Sequence, residues 1–318
     1  MMQKTKKKKS KFWTLLIVIV VFILAFKSNI FNGQSLFGII DGDEPGSIPV
    51  STSNSADLIP SDNLHSPNAI LVRLDNQKVL LEKNSKQKIF PASLTKIMTA
   101  IVAIEKLADL QKTIVLPNST FRELYKADAS MAGFTANERV RAIDLIYGVM
   151  LPSGAECCIG LAEHIAGSEK KFVEIMNQKA AVLGMNNTHF TNTTGLQDEK
   201  HYTTVKDLSI LLSYALKNNT FKKVFTASRY STPPTNVHSG GITFYSTMFK
   251  NLANPVIDGG RILGGKTGYT NEAGLCLASL AQKDGREYIL VTAGAKGNHE
   301  SAQYDIEDAY TVYDKLGK

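Results

Sequence analysis

A serine and a lysine stand three positions apart in the segment PASLTKIMTA, residues 91–100, as Ser93 and Lys96. At this spacing two side chains lie on the same face of a helix. A serine hydroxyl is a weak nucleophile that needs an adjacent base, and a lysine can be that base where burial lowers its pKa. The pair therefore indicates nucleophilic catalysis, although a helix-capping serine beside a surface lysine would have the same spacing.

Two later segments carry further polar groups in positions of interest. Leu-Pro-Ser-Gly at residues 151–154 places Ser153 in a turn between two helical stretches. Gly-Gly-Lys-Thr-Gly-Tyr at residues 264–269 contains Lys266 and precedes a predicted strand. A Ser-x-x-Lys pair, a mid-chain serine turn and a Lys-Thr-Gly triplet thus follow one another along the chain.

The hydrophobic pattern predicts the elements that position these motifs. Apolar residues from Ile97 to Leu107 keep helical periodicity behind the Ser93 turn. The other predicted elements are a hairpin at residues 68–83, helices at 143–150, 157–183, 204–216 and 303–316, and strands at 274–282 and 288–295. Strands at both ends with helices between them predict an α/β fold of the α+β type, with an antiparallel sheet covered by helices and a helical insertion.

The three motifs, in this order, are the signature shared by penicillin-binding proteins and serine β-lactamases. Over residues 66–318 the sequence resembles the low-molecular-mass penicillin-binding proteins, which are serine D-alanyl-D-alanine carboxypeptidases. Residues 184–196 (GMNNTHFTNTTGL) and 201–208 (HYTTVKDL) look like connecting motifs of the same family. The resemblance implies a serine β-lactamase/DD-peptidase-like fold, and a reaction that needs neither cofactor nor metal.

The resemblance also implies the reaction and its main residues. Ser93 would attack the carbonyl between the two terminal D-alanines of a peptidoglycan stem peptide, while Lys96 takes its proton. Ser153 would relay a proton to the leaving D-alanine, and water would then hydrolyse the acyl-enzyme. β-Lactam antibiotics would bind the same site as inhibitors.

The Lys-Thr-Gly segment would supply the substrate-binding wall. By resemblance, Lys266 and Thr267 would bind the terminal carboxylate of the substrate. Gly268 would let the strand approach the substrate closely. The backbone N–H groups of Ser93 and Tyr269 would form the oxyanion hole, in which one donor contributes about 3 kcal/mol.

The sequence departs from the family pattern at two places. The middle motif usually ends in asparagine, but Ala155 follows Ser153-Gly154 here, and we expect the neighbouring Glu156 to point away from the lysines. Many members also carry an arginine between the last strand and the final helix, where this chain offers only Lys296 and His299. Both departures concern groups that would contact the substrate.

Other functions remain as alternatives. A serine β-lactamase shares the motifs, but no deacylating Glu-x-x-Leu-Asn element is evident after Ser153. A zinc carboxypeptidase would need clustered ligands, whereas the six histidines are scattered without a His-x-x-x-His pair, and His201 alone falls in a loop expected to border the site. Outside enzymes, the alternative is a membrane-tethered module that acylates poorly and recognises stem peptides, an interpretation that Ala155 keeps open.

The N-terminal segment predicts a membrane anchor. The apolar run at residues 12–26 (FWTLLIVIVVFILAF) lies between Lys11 and Lys27. Fifteen helical residues span roughly 22 Å against a hydrocarbon core of about 30 Å, a mismatch that snorkelling lysines and local thinning can absorb. We therefore expect a cytoplasmic tail and single-pass anchor at 1–27, a linker at 28–65 and an extracellular catalytic domain at 66–318. A cleaved signal peptide followed by secretion is the alternative.

Charge and cysteine content exclude other classes. Seven of the 36 basic residues lie within residues 4–27, before the first acidic residue, Asp41, so the rest of the chain has 29 basic and 29 acidic residues. The net charge of +7 therefore belongs to the membrane end and does not indicate nucleic acid. Cys157, Cys158 and Cys276 suit buried small hydrophobic positions better than a disulfide framework.

Overall fold

The computed structural model describes residues 59–316 of the chain. The predicted tail and anchor, and the predicted linker as far as residue 58, lie outside the described residues. Within residues 59–316, none of the helices has the length and apolar character needed to cross a bilayer.

In residues 59–316, ten strands form one large sheet and two small ones. They are β1 (Asn68–Arg73), β2 (Lys78–Lys83), β3 (Thr113–Val115), β4 (Arg139–Arg141), β5 (Arg229–Ser231), β6 (Thr243–Tyr245), β7 (Val256–Ile257), β8 (Gly260–Thr270), β9 (Gly274–Lys283) and β10 (Arg286–Ala295). The large sheet has the order β2-β1-β10-β9-β8-β7 with every neighbouring pair antiparallel. The predicted hairpin at 68–83 and the predicted strand pair before the last helix are confirmed.

Nine helices surround the sheet in the described part of the chain. They are α1 (Thr95–Lys106), α2 (Ser119–Lys126), α3 (Ala142–Met150), α4 (Ala155–Ala166), α5 (Glu169–Val182), α6 (Val205–Ala215), α7 (Asn219–Phe225), α8 (Thr247–Asn251) and α9 (Tyr304–Lys315). The predicted antiparallel sheet covered by helices, with a helical insertion between β2 and β7, is therefore confirmed.

The large sheet separates two hydrophobic clusters. Successive side chains of a strand point to opposite faces, so Ile70 of β1 packs with the helical insertion while Leu71 packs with α9. On the α9 side, Val312 and the fully buried Tyr313 contact the sheet cluster. On the other side, α1 is buried from Thr95 to Ile104 and runs through the centre of the insertion. A helix enclosed on all sides explains why its sequence is apolar almost throughout.

Two predicted boundaries differ from the structure. The single helix predicted at 157–183 is two helices, because the chain turns at Gly167 and Ser168 caps α5 by accepting a hydrogen bond from Lys171 N. The predicted linker boundary at residue 65 lies inside a packed segment, since Ile59 N donates to Leu80 O and Leu64 is buried. By contrast, all three cysteines are free and buried, as expected.

Candidate active site

The structure brings Ser93 and Lys96 into contact at the start of α1. Ser93 lies in a single 3-10 turn, Ala92–Leu94, and Lys96 in the first turn of the helix. Lys96 Nζ donates to Ser93 Oγ at 3.0 Å and to the carbonyl oxygen of Thr194 at 2.6 Å. With Lys96 only 3% exposed, the serine beside it keeps a partly exposed position.

Burial lowers the pKa of Lys96, and this effect exceeds the opposing influence of the Cys158, Glu156 and Cys157 side chains. A lysine that loses its proton more readily can accept the proton of a serine hydroxyl. The nearest acid does not pair with it, because Glu156 Oε1 accepts from the backbone N of Ala132 at 2.7 Å and Gly133 at 2.9 Å. Glu156 thus points away from the lysines, as expected.

The backbone at the nucleophile has an unusual conformation. Ala92, immediately before Ser93, has a φ of 46°, a left-handed conformation that costs a non-glycine residue about 1 kcal/mol or more. Its carbonyl is held against Gly195, where a Cβ atom would lie 1.8 Å from Ala92 O. Only glycine fits at that position, so the 194–195 segment fixes both the Lys96 ammonium and the turn that carries Ser93.

Ser153 enters the same site from the turn between α3 and α4. It has a φ of 68°, is 6% exposed and lines a cavity that also contains Ser93. Its Oγ has no hydrogen-bond partner among the described residues. A buried hydroxyl without a partner inside a cavity is available to a ligand. Ala155, two residues later, is buried and offers the site neither donor nor acceptor.

Lys266 and Thr267 lie within β8 rather than ahead of a strand, which corrects the predicted position of the Lys-Thr-Gly segment. Lys266 is fully buried and its Nζ donates to Thr267 O at 2.7 Å. Burial holds the pKa of Lys266 well below its usual value, and repulsion from Lys96 lowers that pKa further by a smaller amount. The Thr267 hydroxyl contacts the Thr247 hydroxyl of α8 at 2.6 Å.

The β8 backbone passes directly beside the nucleophile. A Cβ atom at Gly268 would lie 3.0 Å from Ser93 N and 3.3 Å from the Ala92 methyl. Tyr269 follows on the same strand, and its ring meets His299 edge-on with centroids 4.9 Å apart. The seven predicted site residues therefore converge on one place, although they span 177 positions of sequence from Ser93 to Tyr269.

Two cavities open at Ser93. The larger, of about 360 Å³, is lined by residues 127–130, 194–197 and 269–272. The smaller, of about 130 Å³, extends from Ser93 past Thr267 to Lys250 and Asp305. Ser93 and Tyr269 line both cavities, so the two meet at the nucleophile.

A sequence profile of the D-alanyl-D-alanine carboxypeptidases, peptidase family S11, matches residues 52–297. The chain belongs to this family. The carboxypeptidase DacF of Bacillus subtilis (strain 168) is 35% identical over 233 residues, which cover 71% of this chain and 57% of DacF. The carboxypeptidase of Streptomyces sp. (strain K15) is 32% identical over 204 residues, 62% of this chain and 69% of that protein. The chain thus spans little more than half the length of DacF.

Solved structures of family members have the same fold. The crystal structure of the Streptomyces K15 DD-transpeptidase superimposes with a TM-score of 0.71 at 25% identity, covering 80% of this chain and 98% of that one. The D-alanyl-D-alanine carboxypeptidase of Mycobacterium tuberculosis H37Rv superimposes with a TM-score of 0.70 at 26% identity, covering 81% and 93%. The predicted serine β-lactamase/DD-peptidase-like fold is confirmed.

Some groups of this family member's site were not predicted. Thr194 and Gly195 belong to the connecting motif at 184–196. That motif pointed to the segment, but its resemblance to the family implied no role for these two residues. Thr247, Lys250 and Asp305 stand in no motif and were missed. Of the two residues expected to replace the arginine, His299 lines both cavities, whereas Lys296 is exposed and lines neither.

His201, in the loop expected to border the site, supports the α1 turn instead. Its Nε2 and Thr95 Oγ1 lie 2.8 Å apart, and its Nδ1 accepts from Thr191 N at 3.0 Å. Burial lowers its pKa to about 4, so the ring is neutral at physiological pH. Neutral and fully engaged, this histidine has no free nitrogen for catalysis.

Proposed function

We propose that the chain is a serine-type D-alanyl-D-alanine carboxypeptidase that removes the terminal D-alanine from peptidoglycan stem peptides through an acyl-enzyme on Ser93. The observation that carries the proposal is the 3.0 Å contact between the nucleophile and a buried lysine, with β8 directly alongside. β-Lactam antibiotics acylate the same serine.

The reaction follows from the geometry. Lys96 in its neutral form takes the Ser93 proton as Oγ attacks the carbonyl between the two D-alanines. The N–H groups of Ser93 and Tyr269 stabilise the oxyanion, each contributing about 3 kcal/mol. Ser153 Oγ, which has no partner among the described residues, relays the proton held by Lys96 to the leaving amine.

The leaving D-alanine occupies the smaller cavity in this proposal. Thr267 lines that cavity, and Lys266 lies behind it in β8. A terminal carboxylate in that cavity receives a hydrogen bond from the Thr267 hydroxyl, and the fully buried Lys266 adds a positive charge nearby when it is protonated. Water then enters from the larger cavity and hydrolyses the ester.

The test is labelling with a fluorescent penicillin, followed by measurement of the release rate. Rapid labelling and slow release, with hydrolysis of a peptide ending in D-Ala-D-Ala, support the carboxypeptidase. Ser93→Ala should abolish the adduct, whereas Ser119→Ala, which changes an exposed serine of α2, should label like the wild type. An adduct that survives Ser93→Ala contradicts the assignment.

The same experiment separates the alternatives. Absence of labelling together with retained stem-peptide binding would favour a non-catalytic binding module. Rapid release of the hydrolysed antibiotic would favour a β-lactamase.

We also propose a location outside the cytoplasmic membrane, with the catalytic domain tethered by one N-terminal span. The support is the apolar run at residues 12–26, with six lysines before it and one directly after it. The lysine-rich segment before a membrane span tends to stay on the cytoplasmic side, which places the chain after the span outside.

A further inference from the structure

Asp305 is a buried carboxyl group that the proposed mechanism does not use. It lies in the first turn of α9, is 1% exposed and lines the smaller cavity together with Ser93 and Thr267. Its Oδ1 is buried and has no hydrogen-bond partner among residues 59–316. Leaving a buried polar atom unpaired is destabilising, so a partner supplied by a ligand would remove that penalty.

The neighbouring carboxyl of the same helix shows the contrast. Asp308 accepts hydrogen bonds from His65 N and Ser66 N, both at 2.8 Å, and so ties the start of the domain to α9. Asp308 is a structural group with satisfied oxygens. Asp305, one turn earlier, faces the cavity instead.

The charged and titratable surroundings of Asp305 come from five elements. Lys250 of α8, Tyr269 of β8 and His299 of the segment before α9 line the same cavity. The Cys276 thiol of β9 and the Asp308 carboxylate are its other close ionisable neighbours. Burial raises the pKa of Asp305 to about 7, and Asp308 adds to that rise. The neutral acid is therefore well populated near physiological pH, and it is a hydrogen-bond donor.

We propose that Asp305, as a neutral carboxylic acid, donates a hydrogen bond to the terminal carboxylate of the substrate. This inference rests on the proposed function, because it assumes that the leaving D-alanine enters the smaller cavity. Asp305 then contributes to the recognition of the carboxylate in the cavity that Thr267 also lines. Deprotonation converts the donor into a like charge that repels the substrate.

The proposal predicts a specific pH dependence of substrate binding. KM for a peptide ending in D-Ala-D-Ala should rise as pH increases through about 7, by roughly tenfold, as Asp305 loses its proton. Asp305→Asn keeps a donor of the same shape and cannot ionise, so its KM should stay nearly constant over that range. Asp305→Leu removes both the donor and the charge, so its KM should exceed that of the wild type below pH 7 and should not rise further as pH increases.

Three controls separate this role from others. Lys96 and Lys266 are the same in all variants, so the ratio of wild-type to Asp305→Asn KM isolates Asp305. Asp308→Asn should lower thermal stability and, because it removes a charge that raises the pKa of Asp305, should move the rise of KM to lower pH without abolishing it. The same peptide with a C-terminal amide, used as a competitive inhibitor, should show the same Ki for wild type and Asp305→Asn at each pH.

The outcomes are distinguishable. Equal alkaline rises of KM in wild type and Asp305→Asn overturn the inference but leave the carboxypeptidase assignment intact. A KM that falls as pH rises through 7 would mean that ionised Asp305 binds a cationic group, which also overturns it. If wild type forms no penicillin adduct and hydrolyses no peptide, the proposed function fails and the inference fails with it.

Discussion

Two lysine side chains are buried at the centre of the site, Lys96 in α1 and Lys266 in β8. Burial disfavours the charged form of each, and the pKa of Lys266 is lowered further by Lys96. Neither lysine has a carboxylate partner within hydrogen-bond distance among the described residues. Buried lysines without a carboxylate partner destabilise the folded protein when no substrate is bound. An anionic substrate supplies the missing partner and makes their charged form favourable. The residues needed for the chemistry therefore work against stability.

Lys266→Met should make the protein more stable and less active. Methionine fills a similar volume without a charge, so we expect unfolding to cost about 1 kcal/mol more, or about 2–4 °C in Tm for a domain of this size. Penicillin acylation should fall by roughly 10- to 100-fold, because a charge-assisted contact to the carboxylate contributes about 1.5–3 kcal/mol. Thermal unfolding and the second-order labelling rate measure the two effects.

The stability gain of Lys266→Met should depend on pH, because the pKa of Lys266 differs between the folded and unfolded states. The folded-state pKa of Lys266 lies well below the 10.5 of the unfolded chain, so the unfolded state binds more protons and wild-type stability rises with pH between the two values. The advantage of Lys266→Met is then largest below the folded-state pKa and vanishes near pH 10.5. Lys217→Met, at an exposed site, should leave Tm unchanged. A Tm for Lys266→Met at or below that of the wild type at neutral pH would refute the argument.

At the scale of elements, β8 shows what the sequence could and could not predict. The sequence analysis placed the Lys-Thr-Gly segment ahead of a predicted strand, and the four glycines of β8, at 260, 264, 265 and 268, and its lysine do have low strand propensity. The structure explains the glycines by close approach: Gly264 lies against the Phe225 backbone and Gly268 against Ser93. Local propensity cannot reveal such contacts, because they join residues far apart in sequence.

Other elements were predictable because their signals are local. The hairpin of β1 and β2, the last two strands and α9 show clear periodicity and turn residues. The helix predicted at 204–216 has a local start signal, since Thr204 caps α6 by accepting from Asp207 N. The break between α4 and α5 was missed, although Gly167 is a typical helix C-cap residue and Ser168 a typical helix N-cap residue. The motif residues were found by resemblance, whereas Asp305 and Lys250 reach the site only through tertiary packing.

Gly268→Ala tests whether the close approach of β8 matters for catalysis. The added methyl would meet the Ser93 backbone at 3.0 Å, so the strand must shift by a few tenths of an ångström. We expect the penicillin acylation rate to fall by about tenfold, because small displacements of reacting groups carry large rate penalties. The far-UV spectrum should be unchanged and Tm should change by no more than a few degrees.

Gly240→Ala is the matched control, since a Cβ atom there meets nothing within 4 Å. It should label at the wild-type rate. Wild-type labelling by Gly268→Ala would mean that the approach of β8 to Ser93 is not a requirement of the site.

At the scale of the molecule, the site lies where the sheet meets the helical insertion. Ser93 and Lys96 come from the buried helix, Ser153 from a turn of the insertion, and Lys266 from the sheet. Thr247 links the Ser153 turn to the sheet by two hydrogen bonds. Its backbone N donates to Leu151 O, and its hydroxyl contacts the Thr267 hydroxyl of β8. α8 therefore joins the insertion to β8 and sets the width of the cleft between them.

The proposed tether predicts the orientation of the whole chain. Lysines at positions 4, 6, 7, 8, 9 and 11 precede the apolar run, and short lysine-rich segments stay in the cytoplasm. If the proposed span at residues 12–26 is correct, all three groups of site residues would lie on the outer side of the membrane, which is the side of the peptidoglycan. External protease applied to intact cells should therefore remove the penicillin-labelled domain and leave an N-terminal fragment of about 28 residues in the membrane.

Two tagged forms make this measurement decisive. A tag at the N-terminus should survive protease unless the membrane is permeabilised, whereas a tag at the C-terminus should be lost from intact cells. Replacing the six N-terminal lysines by glutamine should reduce the fraction with this orientation, since lysine and arginine, not net charge, hold the end inside. A labelled protein found free in the medium and lacking the N-terminal tag would instead show cleavage after the apolar run, and would refute the anchor.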